Sequence, residues 1–155
     1  MGIEAVRAFL EARAPDISII QQASSTATVI EAAATLGVLP GQIAKTLSLR
    51  VGDAVVLVVA AGDYRLDNRK VKDALGGRPR MLPAEEVEQL TGHPVGGVCP
   101  FGLPRSLPIY CDISLRQFDT VYPAAGLRTA SVRIASERLA ELVGATWAYL
   151  CSPPS

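Results

Sequence analysis

The chain has 155 residues, 49% of them apolar and 19% charged, a globular composition long enough for one domain with a sizeable core. Lys+Arg and Asp+Glu both number 15, so the formal net charge is zero. That argues against a protein holding nucleic acid by a broad electrostatic footprint, and leaves room for one that grips only the end of an RNA.

Ile3, Val6 and Leu10 recur at helical spacing, and Pro15 stops the helix they predict. Ile17 to Ile20 reads as a short strand. Thr26 or Thr28 then caps a helix running to about Leu36, Gly37 ends it, and Pro40-Gly41 is a turn. The stretch from Ile43 to Val51 alternates as a strand. Gly52-Asp53 connects it to Ala54–Ala60, apolar on both faces, so the pair reads as a hairpin whose second strand is central and covered on both sides. Asp67 caps a helix from about Asn68 to Leu75. Pro83 suits the first turn of another, from about Ala84 to Leu90. After the loop 93–104, strands are expected at Leu107–Ile113, Phe118–Tyr122 and Thr129–Ile134. Ser136 caps a last helix through Val143. These elements predict one mixed α/β domain over residues 1–150, with a strongly curved, mainly antiparallel sheet and helices outside, and a frayed tail at 151–155.

Residues 1–13 lack a basic stretch followed by an apolar core, and the longest apolar run, 54–61, is too short to span a bilayer. Cys99, Cys111 and Cys151 make no disulfide framework. A soluble cytoplasmic protein with reduced thiols and no membrane contact is expected.

Lys45 breaks the alternation of its strand, because Ile43, Leu47, Leu49 and Val51 share its parity and are apolar. An inward ammonium needs an anion or a depressed pKa, so Lys45 is a candidate for lining a pocket. Alternatively the strand begins after it, or its stem snorkels at the sheet margin. With His93 as the one histidine and no CxxC or HExxH, no metal or other cofactor is called for. His93, before Pro94, reads as a loop-surface residue. Cys99 is the one cysteine placed where a reactive thiol could sit, although a small apolar role in a packed loop is favoured. No Walker A, GxGxxG or GxSxG pattern occurs. The loop from Gly96 to Gly102 instead offers backbone. Its glycines allow close approach, and its N–H and C=O groups can bind an amine, a carbonyl or an oxyanion.

Four segments taken together resemble the YbaK/ProX family of aminoacyl-tRNA deacylases, related to the editing domain inserted in bacterial prolyl-tRNA synthetases. They are Glu31–Gly37 leading into Gln42–Leu47; Leu66–Val71; Leu90-Thr91-Gly92 followed by Val95–Gly102; and Asp112–Leu115 leading to Phe118-Asp119. The resemblance covers about Thr28 to Leu142. It implies a sheet approaching a barrel and hydrolysis of the ester between a wrong amino acid and the terminal adenosine of a tRNA. The implied partners are the mischarged tRNA 3′ end and an aminoacyl-tRNA synthetase or elongation factor. The resemblance makes Lys45 the lysine that places the ester, with Gly96 and Gly97 as the catalytic backbone. Thr46, Val98, Cys99 and Pro100 surround the aminoacyl group, and Val29 and Leu47 set the pocket volume. Departures bear on specificity. The branch that clears cysteine from tRNA(Pro) has a serine near the position of Tyr122–Gly126 and a tyrosine near Ile20–Gln22. The alanine-clearing branch has an asparagine where Thr46 stands. Neither specificity is carried over. Two rival readings are a non-catalytic module that binds an aminoacyl-adenosine or nucleotide end, and a Cys99-dependent small-ester hydrolase.

Overall fold

A computed structural model describes residues 2–154. In chain order the elements are α1 (Ile3–Arg13), β1 (Ile19–Gln21), α2 (Val29–Leu36), β2 (Ile43–Val51), β3 (Ala54–Ala61), β4 (Arg65–Leu66), α3 (Asn68–Leu75), β5 (Pro79–Met81), α4 (Ala84–Thr91), β6 (Ile109–Asp112), β7 (Thr120–Pro123), β8 (Ala130–Val132), β9 (Ile134–Ala135), α5 (Ser136–Val143), β10 (Thr146–Ala148) and β11 (Cys151–Ser152). The main sheet runs β10-β6-β3-β2-β7-β9, with β5 also on β2. Its pairings are mixed, and it curves into a half-barrel with five helices, as the sequence led us to expect.

The hairpin sets the layers. β2 and β3 pair antiparallel over eight positions, from Ala44↔Ala61 to Val51↔Ala54. Leu57, Val58, Val59, Ala60 and Ala61 are all 0% exposed, as a central strand covered on both faces requires. On one face Leu57 and Val59 join Ala44, Val6 and Leu10 of α1, Phe101, Leu115 and Leu139. On the other, Val56, Val58 and Ala60 join Leu49, Val51, Val71 of α3, Leu150 and Cys151.

Local signals in the sequence place α2 and α3. Thr28 closes a capping box with Glu31, accepting from the Glu31 N–H at 3.1 Å. Such a cap contributes about 1 kcal/mol. Asp67 accepts from the N–H groups of Arg69 and Lys70.

Three expectations are corrected. The segment 129–134 is not one strand: β8 pairs with β1 and β9 with β7, so the chain changes partner at Arg133. Ser136 lies inside α5, and its hydroxyl donates to the Phe118 carbonyl rather than capping the helix. The tail is not frayed at Cys151 and Ser152. These residues form β11, which pairs with β4, and Cys151 is 0% exposed. Ser155 lies outside the described residues.

The cause is Asp112, itself 0% exposed at the end of β6. Its carboxylate accepts from the N–H groups of Leu150 at 2.7 Å, Cys151 at 3.0 Å and Ser114 at 3.0 Å. Ser152 adds a 2.6 Å hydroxyl bond to Asp67. Asp112→Ala leaves those three N–H groups without their acceptor and is expected to cost about 3 kcal/mol. Urea unfolding should show the loss, and amide exchange should accelerate first at 150–152. An unchanged midpoint overturns this account.

Candidate functional site

Between the two partners on its outer edge, β2 is left open. β7 pairs only with Ile43 and Ala44, and β5 only with Leu49 to Val51. A cleft of about 310 Å³ opens here. Its floor is the Ala44, Thr46 and Ser48 row of β2. Val29 and Ala32 of α2 form one wall, and Leu82 and Val87 at α4 another. Val95, Gly96 and Val98 close it from the loop, with Tyr122 and Ser131 beside them. The lining is mainly apolar, and Met81 and Val95 form an exposed rim, 61% and 52% accessible. The Thr46 hydroxyl is fully buried and has no hydrogen-bond partner.

Lys45 borders the cleft from the other side of the pleat. Opposite Ala60, it stands on the face carrying Leu49 and Val58, as the alternation predicts. Its ammonium donates to the Tyr64 carbonyl at the turn after β3. Burial pulls its pKa below the usual lysine value, while Cys151 and Asp63 pull the other way.

The glycine loop is held from behind. The Gly97 N–H donates to the Pro94 carbonyl, and the Gly97 carbonyl accepts from Gly126, both at 2.9 Å. A Cβ on Gly97 would lie 2.6 Å from the Leu127 nitrogen, so only glycine fits. Gly96 has φ +95°, a conformation open to glycine. Among the described residues, neither the Gly96 nor the Val98 N–H meets an acceptor.

The structure therefore gathers Lys45, Thr46, Val29, Gly96 and Val98 around one cleft. It leaves out Gly97, Leu47, Cys99 and Pro100. Leu47 packs with the Leu49 and Val58 cluster on the far face of β2. The pleat that turns Leu47 away turns Thr46 and Ser48 in, so these two polar residues make the floor. Cys99 is 0% exposed, does not line the cleft, and burial raises its thiol pKa to about 12, all of which count against the Cys99-dependent hydrolase reading. Ser48 could have been found from its parity with Thr46. Met81, Leu82, Val87 and Ser131 carried no local signal, because tertiary structure alone brings them here.

His93 is not on the surface, being 0% exposed. Its Nε2 lies 2.6 Å from the Phe101 carbonyl, which can only accept, so Nε2 carries the proton, and burial favours the neutral ring. Nδ1 is buried without a partner. The histidine braces the loop from inside and does not line the cleft.

Residues 23–142 match the family model described as an aminoacyl-tRNA editing domain. The chain belongs to that family. The uncharacterized protein YwhH of Bacillus subtilis (strain 168) is 40% identical over 153 residues, spanning 97% of this chain and 98% of its own. Proline–tRNA ligase of Bacillus licheniformis is 34% identical over 93 residues; the match spans 59% of this chain and 16% of the ligase. A solved structure provisionally described as a trans-editing enzyme for prolyl tRNA synthetase superposes with TM-score 0.90 at 34% identity, covering 97% of this chain and 96% of that one. Among the described residues, no helix is long and apolar enough to cross a membrane, and no cluster of three potential metal ligands occurs.

Burial lowers the His93 pKa below its ordinary 6.5. The unfolded chain therefore binds more protons below pH 6.5, so stability from the neutral ring is complete above that pH and is lost as pH falls below it. Relative to His93→Gln, the parent is expected to lose up to about 1.4 kcal/mol per pH unit in that range. Denaturation midpoints at pH 7 and pH 5 measure the difference, and parallel curves for the two proteins overturn it.

Proposed function

We propose that this editing-family chain is a free-standing aminoacyl-tRNA deacylase, hydrolysing the ester that joins a wrongly attached amino acid to the 3′-terminal ribose of a tRNA. The observation that carries the reading is one cleft bounded by Lys45, the Thr46 floor and the Gly96–Val98 loop in a chain of this family. Its apolar walls suit a small aminoacyl group, and its rim of Met81 and Val95 offers apolar surface to a terminal base.

The attacking group is water. Cys99 is walled off, and His93 does not reach the cleft. Water oxygen adds to the ester carbonyl carbon, the bond to the ribose oxygen breaks, and a proton passes to that oxygen, giving free amino acid and tRNA. The tetrahedral intermediate places negative charge on the former carbonyl oxygen. The uncommitted N–H groups of Gly96 and Val98 are donors suited to that charge, beside a mainly apolar lining. Lys45 places the ester from the edge of β2 and acts as neither nucleophile nor general base. The free-standing role rests on the near full-length match to YwhH, against a match spanning 16% of the ligase. The tRNA 3′ end is then the substrate, presented by a synthetase or an elongation factor in the cytoplasm.

A panel of tRNAs charged with small amino acids, followed by release of free amino acid, tests the reading. At least one charged tRNA is expected to be hydrolysed. Lys45→Ala should lower kcat/KM by about 100-fold or more. Equal rates for Lys45→Ala and the parent remove Lys45 from the mechanism. No turnover on any charged tRNA, with retained binding of a non-hydrolysable aminoacyl-adenosine, identifies a binding module instead.

A further inference from the structure

The register between β2 and β5 sets Arg50 directly opposite Arg80. Cross-strand partners share a face, so both guanidinium groups project on the side of the sheet that carries Thr46 and Ser48, the floor of the cleft. The bond from the Leu82 N–H to the Ser48 carbonyl continues the same pairing towards the cleft. Like charges in this position are destabilising unless an anion offsets them. Arg50 has one, Glu86, at 3.3 Å. Arg80 is exposed, and among the described residues no ion pair or hydrogen bond engages it. Lys45 does not fill the gap, because its ammonium is turned to the Tyr64 carbonyl from the opposite face of β2.

We propose that Arg80, with Arg50 beside it, receives a backbone phosphate of the single-stranded tRNA 3′ end whose terminal nucleoside occupies the cleft. The spacing fits. Arg50 lies four positions beyond Thr46, about 13 Å along the strand, and arginine side chains reach back over part of that span. An arginine fork matches a phosphodiester bidentately. Glu86 holds Arg50 in place, and Glu85 lies on the same first turn of α4. The inference rests on the deacylase reading for the identity of the ligand, but its test does not need hydrolysis.

Binding of the trinucleotide CCA and of adenosine is measured for the parent, Arg80→Ala and Arg80→Lys. Arg80→Ala should bind CCA about tenfold more weakly, with the slope of log K against log salt reduced by about 0.7. Adenosine, which has no phosphate, should bind both proteins equally, and Arg80→Lys should recover part of the loss. The inference is overturned if Arg80→Ala binds CCA like the parent, if adenosine binding falls equally, or if the parent does not bind CCA. Arg80-dependent CCA binding by a protein that hydrolyses no charged tRNA removes the deacylase reading and leaves this site standing. Hydrolysis with the same KM for tRNA in parent and Arg80→Ala does the reverse.

Discussion

A pleated strand sends alternate side chains to opposite faces, and in β2 both faces are committed. Leu49 and Val51 close the cluster built with Val71 and Leu150. Ala44 closes the cluster built with Leu57 and Phe101. Thr46 and Ser48 share the parity of Ala44, and because α2 and α4 stand at the sides rather than filling the space over them, they become the cleft floor. A slip of one residue in the hairpin would exchange these sets, placing Leu47 and Leu49 over the cleft and two hydroxyls against α3. Eight paired positions with β3 hold the register. The cleft is therefore a consequence of the same alternation that makes the core, with the outer edge of β2 left unpaired where the ligand must approach.

That edge connects to the far end of the chain. Lys45 donates to the carbonyl of Tyr64, one residue before β4, and β4 is held by β11. β11 is in turn pinned by the Asp112 carboxylate. Lys70 strengthens the join, donating to the Cys151 carbonyl at 2.9 Å while stacked 3.8 Å over the Tyr149 ring. The position of the lysine ammonium thus depends on residues more than a hundred places away, and on a carboxylate whose three acceptor bonds are all to backbone.

Much of this was legible where the signal is local. The period of two marked β2 and a continuous apolar run marked β3, the misfit of Lys45 marked the site, and Thr28, Asp67 and Gly37 marked helix ends. What was not legible depends on tertiary partners. β11 is a two-residue strand whose reason to exist is Asp112, and nothing in Cys-Ser-Pro-Pro advertises a strand. His93 beside Pro94 has the appearance of a surface turn, yet the Phe101 carbonyl draws it inside. Gly97 was legible as a glycine that matters, but the reason is its contact with Gly126 and Leu127 behind the cleft wall. Leu47 was placed on the wrong face for a simpler reason. Alternation says which residues share a side and not which side is covered, and here both are used.

Net charge is the quantity that misleads most if taken as a map. Fifteen charges of each sign sum to zero, but the acids are spent unevenly. Asp16 is held by Arg138 and Glu137 by Arg116, on the α5 side of the molecule. Glu31 and Asp67 are engaged at helix N-termini, and Asp112 is sealed in the interior. Along 65–80 there remain Arg65, Arg69, Lys70, Lys72, Arg78 and Arg80 against Asp67 and Asp73, and this segment leads into the edge strand beside the cleft. A field of this kind is short-ranged at physiological salt, falling off over about 8 Å. Such a field cannot gather a large polyanion from a distance and acts only on charges that lie against the sheet. On the deacylase reading proposed above, a neutral protein with a local cationic edge would favour the end of a nucleic acid over its duplex body, the discrimination that removing an error from the last nucleotide requires.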